Sequence, residues 1–340
     1  MLIASCKQQF LKLMSMRRSA KRAETELTKA ARLIAPGACS IRGNCFISKE
    51  FFMAVTETST QTPDFSSFLA PHAHLGMGSW HLGQGRRSWD EEKRALLTGL
   101  QLGLTLIDTA EMYGDGLSEE LIGDVLRDWH ASQPQPFLVS KVLPMNASRN
   151  GVRRAFEASA YKLGVDCIDL YLLHWRGNTP LAETVAALEA LKAQGKIRHW
   201  GVSNFDTDDM QELWEVPGGR NCVVNQVLYN VFSRGIEYDL MPWCVKHGVT
   251  VMAYCPLGHG ELVGESLLAE IGERHGVSAS VVALAWALRI GHVVAIPESG
   301  SSEHVRDNAR ALQLKLDAQD LAQIDKASPA PLHKQPLDIL

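Results

Sequence analysis

From His74 onward the sequence repeats one unit: a short apolar run that reads as a buried strand, then a longer amphipathic stretch that reads as a helix. The units run 74–79 then 89–102, 104–108 then 117–129, 136–142 then 149–163, 167–174 then 181–194, and 197–203 then 207–215. They continue as 221–226 then 236–247, 249–254 then a loop and helices through 263–289, and 291–296 then 303–312, with a further helix at 318–327. Gly103, Gly164, Gly195 and Gly248 sit where helices should stop, as C-terminal caps do. Eight strands alternating with helices predict an α/β fold of one kind, a single-domain (β/α)8 TIM barrel.

Such a barrel carries its chemistry at the C-terminal ends of its strands. The second run, Leu104 to Ile107, ends in Asp108, with Tyr113 five residues on. The third ends in Lys141, and the fourth, from Ile168, ends in His174. Each has a plain alternative: a helix cap for Asp108, a packed loop tyrosine, a surface lysine, a satisfied core histidine. Their recurrence at one end of successive strands argues for a shared site. A carboxylate buried there needs a partner, and Lys141 is the expected one. The lysine is expected to lower the phenol's pKa, making Tyr113 a better acid for protonating a carbonyl oxygen, with His174 orienting that oxygen. The chain has no metal-ligand spacing and no G-x-S-x-G turn, so the attacking group is best supplied by a cofactor.

Composition narrows the class further. With 46% hydrophobic and 21% charged residues over 340, the chain buries a large core, and no apolar run approaches the roughly 20 residues that span a bilayer. A net charge of −4 gives no reason to expect nucleic acid. Seven dispersed cysteines without a C-x-x-C pair suggest reduced thiols and a cytoplasmic location. Residues 1–52 differ, with ten Lys/Arg against three Glu, a net of +7 that leaves −11 for the rest. That leader is either an organelle transit peptide or sequence upstream of a true start at Met53, the latter favoured. Residues 54–66 are rich in Thr, Ser and Gln, so the expected division is an extension over 1–65 and the barrel domain over 66–340.

The segments Gly76-Met-Gly-Ser-Trp80, Asp108-Thr-Ala-Glu-Met-Tyr113-Gly, Ser140-Lys141, Leu173-His174-Trp175 and Gly195-Lys-Ile-Arg-His-Trp-Gly-Val-Ser203-Asn204-Phe carry a further signal. With Asn225-Gln226, Ala253-Tyr254-Cys-Pro256-Leu257-Gly258 and Ile296-Pro-Glu298-Ser299, they resemble the aldo-keto reductases in family order over about residues 74 to 330. Pro217-Gly-Gly, Gly235-Ile-Glu-Tyr-Asp-Leu-Met-Pro-Trp-Cys and the closing Leu337-Asp-Ile-Leu resemble the short bacterial members associated with methylglyoxal reduction.

The resemblance implies a (β/α)8 barrel that binds NADP(H) in extended form and reduces aldehydes or ketones. By matching positions, Tyr113 is the expected general acid, Lys141 and Asp108 its tuning pair, and His174 the orienting group. Ser203, Asn204 and Gln226 are expected to bond the carboxamide, Tyr254 to stack on the nicotinamide, and the loop Pro256-Leu257-Gly258 to meet the pyrophosphate. The alternatives are that Ser203 and Asn204 cap the helix at 207, Gln226 satisfies backbone groups, and Tyr254 is core. Trp80 and Trp175 are expected walls of the substrate pocket. Many relatives carry lysine where Glu298 stands and arginine where His304 stands. Ser299, Ser301, His304 and Arg306 are the residues left to hold the 2′-phosphate, with Asn308 a further expected cofactor contact, and Glu298 makes NAD(H) the rival cofactor. The implied partner is a small-molecule carbonyl compound, with the protein a monomer or weak homo-oligomer and no membrane partner. The competing class is a non-catalytic, cofactor-binding regulatory subunit.

Overall fold

The computed structural model describes residues 74–129 and 133–339. The expected extension over 1–65 lies outside them, as do residues 66–73 of the expected barrel domain. Eight strands form one parallel sheet: β1 (Met77–Gly78), β2 (Leu106–Asp108), β3 (Phe137–Val142), β4 (Ile168–Leu173), β5 (Ile197–Ser203), β6 (Cys222–Leu228), β7 (Thr250–Tyr254) and, after a short β8 (Pro256–His259) outside this sheet, β9 (Val293–Ala295). Their order in space is their order in sequence. Two isolated parallel bridges, Leu75 with Ala295 and Gly78 with Glu298, join the first strand to the last, as closure into a barrel requires.

Helices follow the strands nearly where the periodicity puts them, from Trp89–Gln101 to Ala318–Ala327. The differences are local. The helix expected from 236 begins at Leu240, after a tight turn over Gly235–Glu237. The stretch through 289 holds a loop and helices as expected, the α-helices being Ser266–His275 and Ala279–Leu288. They are separated by Gly276 at φ 63° and a new N-cap at Ser278.

Alternation along the strands decides what faces inward. Leu106, Val139, Leu170, Leu172, Val224, Met252, Val294 and Ile296, joined on β6 by Val223 out of alternation, form a cluster of their own, distinct from the larger core between sheet and helices. On β4, Ile168, Tyr171 and Leu173 join that outer core while Leu170 and Leu172 join the inner one. Two residues beyond the inner positions come Asp108, Lys141, His174, Gln226, Tyr254 and Glu298, so period two carries all six side chains to the same face at the strand ends. Gly201 lies on β5 where a Cβ would sit 2.4 Å from Val224 O, at the one register shift between β5 and β6. Only glycine permits that approach.

Candidate active site

Lys141 is fully buried and Asp108 is 2% exposed, so neither charge has water to rely on. They find each other: Lys141 Nζ donates to Asp108 Oδ2 at 2.7 Å, to Thr109 O at 2.7 Å, and to the Tyr113 hydroxyl oxygen at 3.1 Å. Asp108 Oδ1 accepts from Gln226 Nε2 at 2.7 Å. Burial pushes Asp108 up and Lys141 down, and each pulls the other back toward its ionised form.

Tyr113 opens the turn Tyr113–Gly116, in which Gly114, Asp115 and Gly116 all have positive φ. The loop before it is pinned by Glu111, whose carboxylate accepts Leu143 N at 2.6 Å and Asn146 Nδ2 at 3.0 Å, tying the ends of β2 and β3 together. The phenol differs from expectation. Burial, and then the Asp108 carboxylate, push Tyr113 well above its ordinary value instead of Lys141 lowering it. With Asp108 2.7 Å from the ammonium, the pair is nearly neutral as seen from the phenol, so desolvation prevails. Tyr113 therefore holds its proton at neutral pH. Because Lys141 occupies an acceptor side of the oxygen, the O–H is left to point elsewhere.

His174 follows β4 directly, is 8% exposed, and sets its ring 5.8 Å from that of Tyr113 at 75°. Burial, and then Lys141, hold it well below the usual histidine value, so it is neutral. Its Nδ1 is buried without a hydrogen-bond partner. Trp175 lies against it, ring centroids 4.9 Å apart, and is partly buried, as is Trp80 on the first loop.

Ser203 ends β5, and Asn204 turns the chain at φ 59°, a conformation asparagine tolerates better than most residues. Asn204 Nδ2 donates to His174 O at 3.2 Å and Ser203 Oγ at 3.3 Å, and its Oδ1 accepts from the Tyr254 hydroxyl at 2.9 Å. The helix Thr207–Glu215 is capped instead by Asp206, so Ser203 and Asn204 are not its caps. Gln226 Nε2 donates to side chains, Asp108 Oδ1 and Met252 Sδ. Asp108, Tyr113, Lys141 and His174, with Gln226, Asn204 and Tyr254, thus stand together at the strand ends. Pro256, Leu257 and Gly258 lie on β8, and Ser299, Ser301, His304 and Asn308 lie in and before the helix Ser302–Ala309. Ser301 N donates to Ser299 Oγ at 3.1 Å, and Ser301 caps the helix through His304 N. His304 is exposed and Asn308 buried.

One residue of this neighbourhood went unmarked in the sequence. Glu298 does not stand free near the phosphate residues: its Oε2 accepts His81 N at 2.9 Å and lies 3.0 Å from His81 Nδ1. His81 follows Trp80 in the first signature segment, and that adjacency was the available signal.

The residue types fit a nicotinamide dinucleotide. Amide and hydroxyl groups at Ser203, Asn204 and Gln226 match a carboxamide, the Tyr254 ring is tethered by its hydroxyl as a stacking face should be, and the Ser299–Ser301 turn opens a helix N-terminus suited to an anion. Among the described residues, no helix is long and apolar enough to cross a membrane.

Comparison with known proteins agrees. The sequence profile of the aldo/keto reductase family matches residues 74–329. Methylglyoxal reductase YeaE of Escherichia coli (strain K12) is 48% identical over 271 residues, covering 78% of this chain and 94% of that protein. The NADH-specific methylglyoxal reductase of the same organism is 30% identical over 304 residues, covering 73% and 92%. The crystal structure of an aldo-keto reductase from Klebsiella pneumoniae in complex with NADPH is 46% identical and superposes with a TM-score of 0.76 over 78% of this chain and 95% of that one. Matched along its described length by sequence and by structure, the chain belongs to the aldo/keto reductase family and is an oxidoreductase that acts on carbonyl groups with a nicotinamide cofactor.

Proposed function

We propose that this protein reduces small aldehydes, methylglyoxal among them, to alcohols, with NADPH as first cofactor and Tyr113 as the proton donor. The observation that carries the reading is the Lys141 ammonium 2.7 Å from Asp108 and 3.1 Å from the Tyr113 hydroxyl, in a site where the phenol is kept protonated. A bound nicotinamide dinucleotide supplies the hydride. Tyr113 gives its proton to the carbonyl oxygen, and the adjacent ammonium stabilises the phenolate left behind. His174, neutral, hydrogen-bonds the same oxygen and sets its position. Ser203, Asn204 and Gln226 hold the carboxamide, Tyr254 backs the ring, and Pro256 to Gly258 line the pyrophosphate. Ser299, Ser301, His304 and Asn308 hold the adenosine end, and Trp80 and Trp175 wall the substrate.

Methylglyoxal as a substrate rests on the likeness to the Escherichia coli methylglyoxal reductase. NADPH rests on the Klebsiella pneumoniae complex, with NADH kept as rival by the NADH-specific relative. The acting unit is the domain expected over 66–340, whose described residues, 74–129 and 133–339, form one (β/α)8 barrel, a monomer or weak homo-oligomer. Free Cys167, Cys222, Cys244 and Cys255 suit the reducing cytoplasm. The test is initial rates of methylglyoxal reduction with NADPH and NADH for wild type and Tyr113→Phe. A loss of about 10²-fold or more in the variant, with cofactor binding kept, is expected. Cofactor binding without turnover of methylglyoxal or an aromatic aldehyde by wild type would instead identify a regulatory subunit.

A further inference from the structure

Glu298 stands two residues beyond Ile296 and four beyond Val294, both in the inner cluster, so the parity of β9 carries its side chain over the mouth of the barrel. There it meets the first loop. Glu298 Oε2 accepts the backbone N–H of His81 at 2.9 Å, and both carboxylate oxygens lie within 3.2 Å of His81 Nδ1. The backbone on each side is already joined, by the Gly78–Glu298 bridge and by Gly78 N donating to Pro297 O at 3.0 Å. This seam between first and last strand is bridged only in isolated pairs, so the side-chain contact extends it to the rim.

The imidazole held this way has a second task. The Trp80 ring stacks on it, centroids 4.4 Å apart and planes 25° from parallel, and tilts toward His259 at 5.9 Å. We propose that Glu298 and His81 form a clasp that fixes Trp80 as the wall of the carbonyl pocket. A residue at the cofactor end of the barrel thereby sets substrate affinity. The inference rests on the reductase reading for the role of Trp80. His81 and Glu298 are positioning residues, acting through the indole and touching neither reacting atom.

His81→Ala and Glu298→Ala should each raise KM for methylglyoxal about fivefold, the factor that about 1 kcal/mol of lost ordering gives. kcat should fall by less, and the NADPH dissociation constant of His81→Ala should hold. Glu298→Gln keeps an acceptor for the His81 N–H and should restore most of the KM. A readout independent of turnover accompanies these: the indole N–H resonance of Trp80, assigned by its loss in Trp80→Phe, should shift or broaden in both alanine variants and return in Glu298→Gln. Unchanged KM and an unmoved indole signal overturn the clasp. So does a change confined to the NADPH-to-NADH ratio, which would make Glu298 a cofactor residue alone. A wild type without turnover, with the indole signal displaced in the two alanine variants, condemns the reductase reading and leaves the clasp standing.

Discussion

Replacing Lys141 with methionine removes the cation from the buried pair while keeping much of its volume. Three hydrogen bonds go with it, those to Asp108, Thr109 O and Tyr113. Asp108, its side chain only 3% exposed, keeps Gln226 as a partner but loses its counter-charge. Breaking a buried pair from one side costs about 3–5 kcal/mol, a large part of the roughly 5–15 kcal/mol that holds a domain folded. The cost depends on pH, and its sign follows from Asp108. Burial raises this carboxyl and Lys141 opposes the rise; without the lysine the folded value climbs further above the ordinary 3.8. The folded variant then binds a proton that the unfolded chain has released, so its stability falls as pH rises through the folded value. Urea midpoints of wild type and Lys141→Met should therefore separate widely at pH 8 and converge toward pH 4. Adding Asp108→Asn should recover part of the loss, because the stranded charge is gone. Equal midpoints at pH 8, a gap independent of pH, or a double variant that loses the sum of the two single losses would refute the reasoning.

Two further outcomes test the packing and the histidine. Gly201→Ala places a Cβ 2.4 Å from Val224 O and 2.9 Å from Leu172 Cδ2, so it should cost about 1–3 kcal/mol in thermal or urea unfolding, whereas a neutral result would mean that the β5–β6 seam yields easily. His174, held below its ordinary 6.5, should leave no step near that pH in kcat/KM, and its ring resonances should stay those of neutral imidazole at pH 6. Since the unfolded chain protonates first, this histidine takes stability away as pH falls below 6.5, a slope that His174→Gln should remove.

The repeat of strand and helix was legible because period two and period 3.6 are local properties of the chain, and the rim position of Asp108, Lys141 and His174 followed from where the apolar runs stop. The three side chains come to one rim, and Asp108 and Lys141 meet there, because strands adjacent in sequence are also adjacent in the sheet. Short-range signals failed where the backbone turned sharply. Nothing near Cys255 announces its φ of 45°, and β8 did not emerge from the Gly-bearing loop after β7.

Sequence by itself determined the order of elements, the strand-end placement of Asp108, Lys141 and His174 and the family, since each depends on neighbours along the chain. Tertiary structure alone decided the direction of the Tyr113 shift, because desolvation and the cancelling Asp108–Lys141 charges exist only after burial. It also decided the partner of Glu298. His81 is 217 positions away, and the two meet only because β9 returns to lie against β1.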